Sequence, residues 1–140
     1  MGLFVDASTS WGIGIIVAGR WTAFKLHGDW KVEGQGIYWL ETVAVELLVY
    51  ILEAMGVANT TLLIHSDNQD TISLLGKGHS HNFHINLSIH RAYVVLTSQL
   101  IIPEMIYITS ENNPADPISC RELGSIETRI TTSFSLPDKL

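Results

Sequence analysis

Four acidic side chains in this 140-residue chain could act together: Asp6, Glu41, Asp67 and Asp116, in the order Asp, Glu, Asp, Asp and separated by 35, 26 and 49 residues. Carboxylates are hard oxygen donors and favour Mg²⁺ or Mn²⁺ over Zn²⁺. Four of them converging without basic partners would repel one another by on the order of several kcal/mol unless cations intervened. The chemistry open to such a group is the binding of divalent ions.

Taken singly, each acid also has an ordinary structural explanation. Asp6 interrupts an apolar stretch, where a carboxylate is costly unless paired or bound to a cation; it reads equally well as the start of a turn with Ser8 and Thr9. Glu41 follows Leu40 at the edge of an apolar helical stripe, close enough to lean over a sheet, although an acid there also complements the helix dipole. On a helical wheel Glu46 and Glu53 fall opposite that stripe and read as a solvated face. Asp67 stands where a strand enters a helix, a capping position that Asn68 could fill instead. Asp116 falls in the first turn after Asn113-Pro114, again a favourable place for an acid.

Other candidates carry less. His79, His81 and His84 follow Gly76-Lys77-Gly78, but a zinc site needs about four ligands and no cysteine pair accompanies them, so a solvent-facing loop is the reading. His65, in the strand before Asp67, reads as packed. Trp11, Trp21, Trp30 and Trp39 could stack on bases but are expected to pack in the interior. Cys120 is the sole thiol and has no paired histidine nearby. Gly12-Ile13-Gly14 is too sparse for a dinucleotide fingerprint and lies between strands.

The elements that must position the acids follow from periodicity. Leu3-Phe4-Val5-Asp6 reads as a short buried strand, Gly12 to Val17 as a second, and Ala18-Gly19-Arg20 as a hairpin turn into a third at Trp21 to Leu26. His27 to Gly36 is glycine-rich and expected to be a loop. Leu40, Val43, Ala44, Leu47, Leu48, Ile51, Leu52 and Met55 recur at helical spacing, and Gly56 is placed to end that helix. Thr60 to Ser66 is a strand, Gln69 to Leu75 a short helix, and Ile85 to Leu100 a longer one. Pro103 is expected to separate that helix from a last strand at Met105 to Ile108, and Asn113-Pro114 to open a final helix. Three meandering strands followed by alternation imply a five-stranded mixed sheet, three strands antiparallel and then parallel ones, flanked by helices. Parallel pairing would bring the Asp6 and Asp67 strand ends side by side, with both acid-bearing helices starting at a sheet end.

The motifs Val5-Asp6-Ala7-Ser8 with Trp11-Gly12, Leu40-Glu41 with Ala44, His65-Ser66-Asp67-Asn68, and Glu111-Asn112-Asn113-Pro114-Ala115-Asp116-Pro117-Ile118-Ser119 are together similar to those of ribonuclease H domains of reverse-transcribing elements, especially gypsy-like LTR retrotransposons. The resemblance covers residues 3 to about 121. It implies a ribonuclease H-like fold and hydrolysis of the RNA strand of RNA–DNA hybrids with two Mg²⁺ ions, Mn²⁺ being a plausible substitute. Asp6 would bridge both ions, Asp116 would help hold the ion at the attacking water, and Glu41 and Asp67 the ion near the leaving oxygen. Main-chain and side-chain groups of Ala7, Ser8, Gly12 and Asn68 would contact the substrate, with 2′-hydroxyls marking the RNA. It also implies tethering to a reverse transcriptase domain in a polyprotein. The chain departs from the pattern in lacking a histidine shortly before Asp116, in lacking a basic, tryptophan-rich helical handle, and in reading Ser119-Cys120-Arg121 where Ser-Arg is common.

Bulk properties bound these readings. At 46% hydrophobic and 16% charged residues the chain is neither disordered nor fibrous, and its apolar runs are too short to span a bilayer. A formal charge of -6 argues against a general nucleic-acid binder; two divalent ions would bring it to -6 + 4 = -2. A neighbouring domain is therefore expected to supply much of the grip on phosphates, and the strand starting at Leu3 looks like the edge of a larger polypeptide. The lone cysteine fits a reducing, intracellular setting, cytoplasmic or in retroelement particles. Residues 1–124 are expected to form one domain and 125–140 a polar tail, packed on it or mobile. Two rival functions share the fold: a catalytically weak or inactive connection module of a retroelement polyprotein, and a DNA-cutting nuclease.

Overall fold

The computed structural model describes residues 2–26, 36–78, 80, 82–120 and 129–130. Its strands are β1 (Leu3–Ala7), β2 (Gly12–Val17), β3 (Arg20–Lys25), β4 (Thr60–Ser66) and β5 (Ile101–Tyr107); its helices are α1 (Ile37–Ala54), α2 (Gln69–Lys77), α3 (Phe83–Ser98) and α4 (Ala115–Ser119), with a 3₁₀ turn at Ser110–Asn112. One sheet runs in the order β3-β2-β1-β4-β5. The first three strands form an antiparallel meander, whereas β4 lies parallel to β1 and β5 parallel to β4. The expected order of elements is the observed one.

Local signals account for much of this. β2 and β3 are joined by the two residues Ala18 and Gly19, both at positive φ, 51° and 80°, the backbone of a tight hairpin whose twist matches its strands. Asn68 and Asn82 cap α2 and α3 by accepting from the main-chain N–H of Thr71 and Ile85. In β1, Leu3 and Val5 are fully buried and alternate with Phe4, whose ring stacks on His65 of the neighbouring strand at 4.7 Å. His65 is thus packed, and its Nδ1 lies 3.0 Å from the Leu3 carbonyl.

Two expectations need correction. Pro103 does not precede the last strand but sits inside β5, opposite Leu62. β5 is a margin strand, where a residue without an N–H is tolerated because one side of the ladder has no partner. Glu46 is not on a solvated face: it is 0% exposed. A solvated face requires burial on one side only, whereas α1 is sandwiched between the sheet and α3, and every residue from Trp39 to Leu52 is buried. The Glu46 carboxylate is matched by four donors. Ser88 Oγ lies 2.7 Å and Arg91 Nη2 3.0 Å from its Oε1, while Arg91 Nε at 2.6 Å and the Tyr50 hydroxyl meet its Oε2. Glu53 is exposed, as expected.

Trp21 and Trp39 are buried, in line with a packing role. Trp30, His79 and His81 lie outside the described residues, as do residues 27–35 of the segment expected to be a loop from His27 to Gly36. Of the C-terminal segment only Arg129 and Ile130 are described; Arg129 forms an isolated bridge with Trp21 and holds its guanidinium 5.5 Å from the indole centre. Among the described residues no helix is long and apolar enough to cross a membrane.

Candidate metal centre

The acids come together at one end of the sheet because four elements end or begin there. Asp6 is the penultimate residue of β1, Asp67 follows directly on β4, Glu41 lies one turn into α1, and Asp116 is the second residue of α4. Parallel pairing of β1 with β4 puts the first two side by side. Asp6, Glu41 and Asp67 each offer a carboxylate oxygen, and these atoms all lie within 4.8 Å of one another. Asp116 joins them less closely, near enough to hydrogen-bond the Asp6 carboxyl and to act electrostatically on Glu41.

The electrostatics of the group are unfavourable without a cation. Asp6 is 4% and Glu41 3% exposed. Burial pushes Asp6 from its ordinary 3.8 up to about 8, opposed by a hydrogen bond from Ser119 and reinforced by the charge of Asp67 and by contacts with Asp116 and Asp67. Burial likewise pushes Glu41 from 4.5 up to about 9, reinforced by Asp6, Asp67 and Asp116 and opposed by the Ala7 main-chain N–H. The charged groups that chiefly act on Glu41 are other carboxylates. Its Oε2 has no hydrogen-bond partner among the described residues, although it is buried. A buried acceptor left unpaired costs about 1–3 kcal/mol, and more when charged. A hard divalent cation would satisfy that oxygen and cancel the mutual repulsion, so the residues present fit such an ion.

Helix α4 is seated with unusual closeness. A Cβ at Gly14, which pairs with Asp6 across β1 and β2, would lie 2.6 Å from the Ala115 carbonyl oxygen and 2.7 Å from the Ser119 nitrogen. Only glycine lets the helix approach the strand at this depth. Asn113, buried before the helix, donates from Nδ2 to the Val5 carbonyl at 3.0 Å and accepts at Oδ1 from the Ala115 N–H at 3.0 Å. Ser119 Oγ lies 2.7 Å from Asp6 Oδ2 and 2.9 Å from the Asp116 carbonyl oxygen. In the sequence Asn113 reads as a helix cap and a motif residue, and Ser119 as a motif residue alone; their ties to β1 depend on a register between segments more than 100 residues apart, which periodicity does not reveal.

The candidate substrate contacts border this group. Ala7 ends β1 and is buried. Ser8 donates its N–H to the Gly12 carbonyl at 2.8 Å and shares a 2.7 Å hydroxyl contact with Ser10, closing a short turn beside the acids. Gly12 is held by packing, since a Cβ there would fall 1.9 Å from the Phe24 carbonyl oxygen. The Asn68 Oδ1 is engaged in capping α2, so Asp67 is not needed as the cap. His84 is not in the expected solvent-facing loop but half-buried in the first turn of α3, because Asn82 caps that helix just ahead of it, and Cys120 is exposed just beyond α4.

No family model matches this chain, and no curated protein matches it in sequence. In three dimensions it is similar to the crystal structure of RNase H1 from the halophilic archaeon Halobacterium salinarum NRC-1, with 15% identity, 87% of this chain and 98% of that chain covered, and a TM-score of 0.63. The fold is therefore ribonuclease H-like: a mixed five-stranded sheet with flanking helices.

Proposed function

We propose that this chain is a metal-dependent endoribonuclease that hydrolyses the RNA strand of RNA–DNA hybrids. One observation carries the reading. Three carboxylates from three separate elements place ligand atoms within 4.8 Å of one another, and burial, reinforced by the charges of Asp6, Asp67 and Asp116, holds Glu41 far above its usual range. A fold with no use for cations gains nothing from that arrangement, which argues against an inert connection module. The ribonuclease H-like fold and the order of the four acids supply the reaction class.

In this reading Asp6, Glu41, Asp67 and Asp116 would hold two divalent ions, Mg²⁺ with Mn²⁺ as a substitute. Bound there, such ions supply charge stabilisation to the attacking and departing oxygens of an in-line displacement. The protein's own part is orientation. Asp6 interacts with all three other acids and would contribute to holding both ions. The Ser8 hydroxyl and main-chain groups of Ala7, Gly12 and Asn68 border the site where the RNA 2′-hydroxyls would distinguish it from DNA. We further propose that the chain works inside a cell as residues 1–124 with a C-terminal tail, tethered to a reverse transcriptase domain of an LTR retrotransposon-like polyprotein. Such tethering would offset its net charge of -6 when it meets a polyanion.

The test incubates the chain with labelled RNA–DNA hybrid, duplex DNA and duplex RNA, each with Mg²⁺, Mn²⁺ or chelator. Only the RNA of the hybrid is cut, only with metal, and Asp6→Asn, Glu41→Gln and Asp67→Asn each abolish cutting. Cleavage that survives Asp67→Asn, or cutting of duplex DNA instead, would overturn the proposal.

A further inference from the structure

We propose that Ser119 is a positioning residue for ion capture, fixing the carboxylate plane of Asp6 and tying it to the helix that carries Asp116; the inference rests on the function proposed above. The terminal torsion of an aspartate is soft, with a broad distribution of orientations. Asp6 therefore needs a tether if its carboxylate is to meet Glu41, Asp67 and Asp116 in one arrangement. Ser119 supplies it. Its hydroxyl is fully buried, reaches Asp6 Oδ2 at 2.7 Å across 113 residues of sequence, and approaches the Asp116 carbonyl oxygen at 2.9 Å.

The surrounding packing makes this contact obligatory. The close approach of α4 to Gly14 sets the main chain of Ser119 against the strand residue that faces Asp6. Asn113 holds the start of the same segment to the Val5 carbonyl, one residue before Asp6. A helix of five residues pinned at both ends has little freedom to turn, so the hydroxyl is delivered to Asp6 rather than to solvent. A single hydroxyl has one proton to donate, and the carboxylate is the stronger acceptor. Held in this way, Asp6 enters ion binding already oriented, and the ordering cost is borne on folding rather than on capture.

The experiment titrates the full chain with Mn²⁺ alone, by calorimetry, for wild type, Ser119→Ala and Ser119→Cys. The cysteine variant keeps nearly the same volume but donates weakly. Loss of a group that orients a metal ligand typically weakens affinity about 10–100-fold, and a drop of about tenfold or more is expected for both variants. Unfolding in chelator reports whether each is folded; if one is not, the other carries the test. Cleavage of hybrid by a folded variant is expected to recover when Mn²⁺ is raised well above its new dissociation constant, because all four acids are still present. Unchanged Mn²⁺ affinity overturns the inference while leaving the nuclease reading intact, as does weakened affinity with no recovery at saturating Mn²⁺. A wild-type chain that binds no Mn²⁺ overturns both.

Discussion

Replacing Asp6 by asparagine should stabilise the metal-free protein at pH 8 while destroying its function. Asp6 ionises near its ordinary 3.8 when unfolded but only at about 8 when folded. A folded-state value raised in this way gives stability that is complete below about pH 4 and is lost as the pH climbs towards 8. At about 1.4 kcal/mol per pH unit the ceiling on that loss is roughly 6 kcal/mol. Part of it is offset, because the Asp6 charge also raises Glu41, and asparagine accepts less strongly from Ser119 than a carboxylate would. A net gain of about 2–4 kcal/mol at pH 8 remains, on the order of 10 °C in Tm for a chain of this size. Thermal unfolding in chelator at pH 4 and pH 8 reads it directly: the two proteins should melt together at pH 4 and separate at pH 8, the variant higher. Excess Mg²⁺ should reverse the order, since only the wild type gains RT ln(1 + [L]/Kd) from the ion. Equal Tm values in chelator at pH 8, or an advantage just as large at pH 4, would refute the claim that the clustered acids cost the fold stability.

Two further outcomes are expected. Gly14→Ala should cost about 1–3 kcal/mol in urea unfolding by forcing α4 away from β2, and should lower hybrid cleavage more than the stability loss alone explains, because Asp116 moves with the helix. The double replacement Glu46→Leu with Arg91→Met should leave stability equal or raise it by about 1–4 kcal/mol, as apolar substitutes for buried pairs often do, yet weaken Mn²⁺ binding measured by calorimetry.

Much of the architecture was legible because strong local signals agreed with the tertiary outcome. The hairpin at Ala18-Gly19, the cap at Asn68 and the stripe from Leu40 as far as Leu52 each specify a local shape that the fold keeps, while Met55 falls beyond α1 and is exposed. The choice of Glu41 as a site candidate came from its place at the stripe's edge, and it does lie with Asp6 and Asp67. The same wheel misplaced Glu46 because amphipathicity was read against one layer. The overlooked signal was compositional: with Val45 and Val49 on the supposed outer side, α1 is apolar nearly all round, and such a helix is buried on both sides. The polar partners Ser88 and Arg91 on α3 were the complementary hint. β5 was started too late because a proline was read as a break, when its tolerance depends on whether the strand is marginal, a property of the whole sheet. The work of Ser119 and Asn113 was hidden for a similar reason, since hydrogen bonds across the length of the chain have no local period.

The buried Glu46 bears on how α1 knows its own rotation. A helix that is apolar on almost every side hides nearly the same area as it turns about its axis, so hydrophobic burial fixes its position but only weakly its azimuth. Glu46 removes that degeneracy. Turning α1 by one residue, about 100°, would carry the carboxylate away from Ser88 and Arg91 and strand a charge in the interior. Glu41 lies five residues earlier on the same rigid rod, so the angle that satisfies Glu46 is also the angle that aims Glu41 at Asp6 and Asp67. One carboxylate acts as the keyway for another, and the aim of the site is set from outside it.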